Sequence, residues 1–362
     1  MGVEIKLTDR EFPVSPVFID FLHRHIEGRS HEATWHDQLS EELVPVQAEE
    51  KQRAAVAVAE QVLQDPAGQK AILRSYELLT ALLTGQADKL KRFHERYRFI
   101  CVVGCPRHGG SYLTKQLFLA CGMEPDQVPN AIAHDGFPDA APFQFKENYS
   151  SITTMIQNMA EYLAMVEVFF ANSRLFDNRV VVPKKATKAA YHGAFFNAAL
   201  GSDTEYVITL RHPLAACVST YEKSTRLPED GSFKVRGNIE EWARRDCVFT
   251  GADPEEIEKQ SYIDVYLRYW EQYHNNLALT GLAANRRNWT VVAYGRESMV
   301  DLARRYFKRF RAKGQPEEFK VFDKRERHPK WRQPADAALR RVAENWKSVG
   351  LGFPIDELME GW

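Results

Sequence analysis

The sequence predicts an α/β protein with a three-layer sandwich fold, in which a central parallel sheet lies between helices. Four short runs of apolar and β-branched residues carry this prediction: FICVV (99–103), VVV (180–182), YVITL (206–210) and WTVVAY (289–294). Each run is continuous rather than alternating, which is typical of parallel strands covered on both faces. Helical stretches separate the runs, as expected of βαβ units.

The part of the chain before the first strand has a different pattern. Residues 49–63 and 69–83 have apolar residues at helical spacing, and the stretch Asp65-Pro66-Ala67-Gly68 separates them. Residues 151–176 read as a further long helix between the first two strands. We therefore predict an N-terminal helical extension over residues 1–95 and an α/β domain over residues 96–362.

Composition excludes several classes of protein. The formal net charge is −1 over 362 residues, which disfavours a nucleic-acid-binding protein. The first residues, MGVEIKLTDREF, are too charged for a signal peptide, and no apolar run approaches the ~20 residues needed to span a bilayer. The five cysteines are an odd, scattered set without zinc-site spacing, so we expect a reducing compartment and no metal. These features predict a cytoplasmic protein without nucleic-acid or membrane partners, and they leave homo-oligomerisation open.

The residues after each predicted strand indicate the chemistry, because ligands of open α/β sheets bind beyond the carboxyl ends of the strands. Cationic residues follow all four runs: Arg107, Lys184 with Lys185, Arg211, and Arg296. No run ends in Asp or Glu. The sequence therefore predicts an anion site at this edge of the sheet.

The loop after the first run resembles a phosphate-binding loop without its lysine. GCPRHGGSY (104–112) fits G-x-x-x-x-G-K-[ST], except that Gly110 stands where the lysine belongs. The missing lysine and the missing strand-end acid disfavour a Mg²⁺-dependent nucleotide hydrolase. A glycine-rich turn that enters a helix still directs backbone N–H groups at an oxyanion, and Arg107 supplies positive charge.

A second anion site is predicted after the third run. In RHPLAACVS, Arg211 ends the strand, a helix begins near Pro213, and Ser219 lies two helical turns along it. Together the two segments describe two phosphate-sized sites beside one crevice.

These segments resemble the PAPS-dependent sulfotransferases. CPRHGGSYLTKQL is similar to their 5′-phosphosulfate loop, P-[KR]-S-G-T-T-[WL]-L, and RHPLAACVS is similar to their 3′-phosphate segment, R-x-P-x-x-x-x-x-S. VVPKKAT and WTVVAYGRE resemble two further segments of the family, and the likeness covers about 99–311. The departures are His108 and Gly110 in place of hydroxyl residues and Gly295-Arg296 in place of Glu-Asp, which indicate a divergent member.

The resemblance implies a role for each matched residue. Arg107 contacts the 5′-phosphate and sulfuryl oxygens, and the loop residues His108, Gly109, Gly110 and Ser111 surround the phosphosulfate. Arg211 and Ser219 bind the 3′-phosphate, Tyr112 and Tyr294 reach the adenine, and Lys185 or Lys184 stabilises the charge of the transferred group. A basic loop closes the 3′-phosphate site, with Arg325, Arg327 and Lys330 as candidates.

The implied reaction moves a sulfuryl group from PAPS, as co-substrate and without a metal, to a hydroxyl or amine of a small molecule or carbohydrate. An acceptor of this kind needs a base. His134 and Asp135 are the first candidates, followed by His108 and then His192. Two alternatives are a small-molecule or nucleotide kinase with an atypical loop and a non-catalytic nucleotide-binding module.

Overall fold

The protein has an α/β architecture, which confirms the predicted class. The computed structural model describes residues 14–30, 32, 47–135, 137–138, 151–225, 260–324 and 326–360. Within these ranges, the chain forms thirteen α-helices and five strands. No described helix combines the length and the apolar character that crossing a membrane requires.

The strands form one sheet, which is mostly parallel. They are β1 (Tyr97–Val103), β2 (Leu175–Phe176), β3 (Arg179–Lys185), β4 (Glu205–Leu210) and β5 (Trp289–Ala293). Their order across the sheet is β2-β3-β1-β4-β5. Strand β4 runs parallel to both β1 and β5, with Val102 opposite Val207 and Ile208 opposite Val291. All four predicted strands are therefore present.

Strand β2 is a feature that the sequence analysis missed. It pairs antiparallel with β3, and the two residues between them, Asp177 and Asn178, have φ values of 50° and 65°. Two consecutive left-handed residues make the tight hairpin turn whose twist matches the strands it joins. The predicted helix over 151–176 was too long, since the observed helix ends at Phe169 and the hairpin follows.

The helices of the first half are α1 (Pro16–Ile26), α2 (Gln47–Gln64), α3 (Pro66–Thr84), α4 (Ala87–Arg96), α5 (Gly110–Ala120), α6 (Asn130–Ala133) and α7 (Ser151–Phe169). Those of the second half are α8 (Gly193–Leu200), α9 (Pro213–Thr225), α10 (Tyr262–Leu279), α11 (Arg296–Arg309), α12 (Arg332–Ser348) and α13 (Ile355–Glu360). The predicted break at 65–68 is a helix start, because Asp65 Oδ1 accepts hydrogen bonds from the backbone N–H groups of Ala67 and Gly68.

The chain forms two compact units. The first comprises residues 1–99, 123–184 and 199–201, so it groups the predicted N-terminal extension with later segments. Inside it, α3 packs against α7, and Arg74 binds both carboxylate oxygens of Glu167 at 2.8 and 3.0 Å. The Ser15 N–H donates to Glu161, which is buried in α7.

The second unit comprises residues 100–122, 185–198 and 202–362. Its core holds β4 together with the fully buried side chains of Trp270 and Trp346, from α10 and α12. The Trp346 indole donates to the carbonyl of His274 at 2.8 Å, so this buried donor is satisfied. Helix α5 packs against α11, while α9, α10 and α12 pack together.

Candidate functional site

The loop between β1 and α5 packs closely against β4 at Gly104 and against α11 at Gly109, because both residues are glycines. An added Cβ at Gly104 lies 2.0 Å from Thr209 Oγ1, so only glycine fits there. Gly109 has φ 84°, and an added Cβ meets Met299 Cε at 2.5 Å. Arg107, between them, is also left-handed at φ 70°, which is uncommon for a residue with a side chain.

Helix α5 begins directly after this loop, at Gly110, and its N-cap residue Gly109 provides no side-chain cap. The positive end of the helix dipole therefore lies at the loop. Both features match the predicted anion-binding turn.

Arg211 is a buried cation joined to this loop. Its side chain is 3 % exposed, its Nη1 donates to the carbonyl of Arg107 at 3.0 Å, and its guanidinium lies 4.0 Å from the Tyr294 ring centroid. Nε of Arg211 has no hydrogen-bond partner. Within the described ranges, no carboxylate forms an ion pair with Arg211, and the titratable groups that act on it are two tyrosines and Arg107. Burial lowers the pKa of the guanidinium, which still remains protonated at neutral pH.

Arg107 joins the two predicted motifs. Its Nε donates to Ser219 Oγ at 3.1 Å, and its side chain is exposed. Ser219 lies on α9, whose first residue is Pro213, as predicted. We call Arg107, Arg211 and Ser219 the arginine cluster. Residues far apart in sequence thus form one group with two positive charges and a hydroxyl.

The two neighbouring lysines at the end of β3 have different surroundings. In the first unit, Lys184 is buried, and its Nζ donates to the carbonyls of Ile132, His134 and Phe137 at 3.2, 3.0 and 2.7 Å. In the second unit, Cε of Lys185 lies 3.4 Å from the Cβ position of Gly110. Lys185 is therefore at the N-terminus of α5, whereas Lys184 is committed to the backbone around α6.

An aromatic cluster borders the same loop. The Phe319 ring lies between those of Tyr112 and Tyr294, at centroid distances of 4.7 and 4.9 Å. The Tyr112 hydroxyl donates to the carbonyl of Glu317 at 2.6 Å, and burial raises the pKa of this phenol to about 12. The structure thus brings both predicted adenine-contacting tyrosines together, and it adds Phe319, for which the sequence carried no motif.

A basic segment near the C-terminus reaches α9 one turn beyond Ser219. Glu222 accepts ion pairs from Lys324 and Arg327. His328 stacks on Trp331, and both rings contact Tyr221. Arg325, which the sequence analysis assigned to the 3′-phosphate, lies outside the described residues.

The candidate bases have varied surroundings. His108 is 0 % exposed, and its Nδ1 lies 3.0 Å from the Thr209 carbonyl. Burial and the neighbouring His274 lower the pKa of His108, so it is neutral and faces the protein interior. His134 and Asp135 follow α6 in the first unit and are partly exposed. His192 lies in the second unit, and the choice of base stays a prediction.

Comparisons of the chain with protein families, curated proteins and solved structures find no match. The fold and the site define an α/β protein with a cationic cluster at the N-terminus of a helix that follows a strand.

Proposed function

We propose that this protein is a PAPS-dependent sulfotransferase of the family that its two motifs resemble, with the corresponding phosphate-loop-like fold. The reaction transfers a sulfuryl group to a hydroxyl or amine of a small-molecule or carbohydrate acceptor. The observation that carries the proposal is the buried Arg211 guanidinium, which has no carboxylate partner among the described residues and is bonded to the loop that presents Arg107.

The charge of Arg211 is the physical reason. Removing a cation from water costs several kcal/mol, and native proteins offset that cost with a counter-charge. Since the described residues supply none to Arg211, a bound anion is the natural counter-charge. Arg107 and Ser219 extend the same cluster, which suits a phosphate group that takes several charge-assisted hydrogen bonds.

A second anionic group fits beside the first. The start of α5, the Lys185 side chain near Gly110 and the exposed Arg107 all lie at the loop. Two adjacent anion sites favour a doubly phosphorylated nucleotide over a single phosphate. The rings of Tyr112, Phe319 and Tyr294 supply flat apolar surfaces of the kind that bind a base.

In the proposed reaction, the acceptor oxygen or nitrogen attacks sulfur and forms a bond to it. The bond from sulfur to the bridging oxygen breaks, and its electron pair stays on the 5′-phosphate of adenosine 3′,5′-bisphosphate. The acceptor proton passes to a base, whose identity stays a prediction. Arg107 and Lys185 stabilise the charge on the sulfuryl and leaving oxygens, a role that positioned cations fill in phosphoryl transfer.

The departures from the family motif have different consequences. Gly110 replaces a hydroxyl residue, and the Lys185 side chain lies in van der Waals range of the Cβ position there, with Cε at 3.4 Å. His108 replaces another hydroxyl residue and is turned into the core, so it adds nothing to the anion site directly. Donor binding therefore depends on backbone donors and on cations.

Titration calorimetry with adenosine 3′,5′-bisphosphate in the presence of EDTA tests the proposal. We expect binding that does not depend on Mg²⁺, and transfer of labelled sulfate from PAPS to an acceptor in a cell extract, read by mass. Binding without transfer to any acceptor would favour the non-catalytic module. Absent binding, together with Mg²⁺-dependent consumption of ATP, would favour the kinase.

A further inference from the structure

Three side chains able to bind a metal meet in the core of the second unit. Cys105 and His108 lie in the loop before α5, and His274 lies on α10. One ligating atom from each residue lies within 4.8 Å of the other two. All three side chains are at most 2 % exposed, so the cluster is fully enclosed.

Hydrogen bonds leave a lone pair on each histidine. His108 Nδ1 lies 3.0 Å from the Thr209 carbonyl, and His274 Nδ1 lies 2.6 Å from that of Trp270. Because a carbonyl only accepts, each Nδ1 carries the proton, and each Nε2 has an unshared pair. Both Nε2 atoms are buried and have no hydrogen-bond partner. A histidine whose other nitrogen is held by a carbonyl has the arrangement typical of a metal ligand.

We propose that Cys105, His108 and His274 bind a thiophilic d¹⁰ metal ion, with Zn²⁺ as the first candidate, as a structural metal. Thiolate and imidazole ligands suit Zn²⁺ and Cu⁺ and do not suit Mg²⁺ or Ca²⁺, which take oxygen ligands. On binding, the thiol of Cys105 loses its proton to solvent, and the thiolate and two nitrogens each donate an electron pair to the ion.

The geometry accommodates an ion after small movements. Three atoms no more than 4.8 Å apart have a common point within about 2.8 Å of each, whereas Zn–N and Zn–S bonds are about 2.0–2.3 Å. Closing the shell requires each ligand to move by less than about 1 Å.

The ion would act on the loop and not on the substrate. Cys105 and His108 stand on either side of Arg107, whose backbone is left-handed, while His274 belongs to α10. A bond network through the ion therefore ties this loop to a buried helix. The sequence predicted no metal, since its cysteines and histidines lack zinc-site spacing.

The test is the metal content of the full chain, produced with a tag that contains no histidine and grown with zinc or with copper. We expect about one ion per chain in the wild type, as for a structural site. Cys105→Ser and His274→Gln should each lose most of it. Cys217→Ser, which removes another buried thiol, is the matched control and should keep the wild-type content. Zinc or copper at this stoichiometry supports the site and identifies its occupant.

X-ray absorption of the wild-type protein covers the case in which the variants fail to fold. One sulfur and two nitrogens at about 2.3 and 2.0 Å are expected in the shell. Less than about a tenth of an ion per chain after both growths, or a shell without sulfur, would overturn the proposal. None of these measurements involves adenosine 3′,5′-bisphosphate or PAPS, so their failure and that of the sulfotransferase proposal are separate.

Discussion

Replacing Arg211 with methionine separates a ligand-binding role from a structural one. The variant loses the hydrogen bond to the Arg107 carbonyl and the contact with the Tyr294 ring, together about 2–4 kcal/mol. It also removes a buried charge without a carboxylate partner among the described residues, which recovers several kcal/mol of desolvation. These effects oppose each other, so we expect the ligand-free free energy of unfolding to change by less than about 1 kcal/mol.

Ligand binding should respond very differently. Loss of a charge-assisted contact to phosphate in a buried site costs about 2–5 kcal/mol. Adenosine 3′,5′-bisphosphate should therefore bind Arg211→Met at least about 30-fold more weakly than the wild type.

Calorimetry measures the affinity for adenosine 3′,5′-bisphosphate, and urea unfolding measures the free energy of unfolding. Ligand at 100 times the wild-type dissociation constant should stabilise the wild type by about 2.7 kcal/mol and the variant by less than about 0.9 kcal/mol. Arg304→Met is the matched control, because Arg304 is exposed and pairs with Asp301 at 2.7 Å. It should change neither quantity.

Two results would refute the reasoning about Arg211. Binding by Arg211→Met within about threefold of the wild type would show that no phosphate contacts this guanidinium. A loss of more than about 3 kcal/mol without ligand would show that the guanidinium serves the fold.

Three further predictions follow from the described contacts. Lys184→Met should cost roughly 3 kcal/mol in urea unfolding because it strands the carbonyls of His134 and Phe137, whereas Lys185→Met should leave stability within about 1 kcal/mol and slow transfer. Gly109→Ala should lower the free energy of unfolding more than Gly122→Ala does. Both glycines are left-handed, but an added Cβ lies 2.5 Å from Met299 Cε at Gly109 and has no atom within 4 Å at Gly122. Equal losses in the two variants would contradict this. Burial lowers the pKa of His212 from the ordinary 6.5 to about 3. Between these two pH values, the unfolded chain binds a proton at this residue and the folded protein does not. Stability should therefore fall by about 1.4 kcal/mol per pH unit as pH decreases from about 6.5, and His212→Gln should lack this part of the slope.

Much of the fold was predictable because local patterns carry it. Continuous apolar runs marked β1, β3, β4 and β5, and the glycine-rich loop and the Arg211–Ser219 spacing marked the segments after two of them. Strand β2 was not predicted because it has only two residues, too few to show any periodicity.

The side of the sheet that each lysine faces was not predictable. Lys184 and Lys185 are adjacent on a strand, so their side chains point to opposite faces of the sheet. The sequence does not indicate which of these faces borders the predicted anion site. The structure places Lys184 among carbonyls and Lys185 beside Gly110.

By itself, the sequence determined the α/β class and the cationic character of the strand ends, because these depend on residue types at short spacing. Only the tertiary structure decided that Arg107 reaches Ser219, that Phe319 lies between two tyrosines, and that His274 approaches Cys105 and His108. The physical reason is that such contacts join segments that are distant in sequence, through the packing of helices on a sheet. Local residue patterns do not specify which distant side chains this packing brings together.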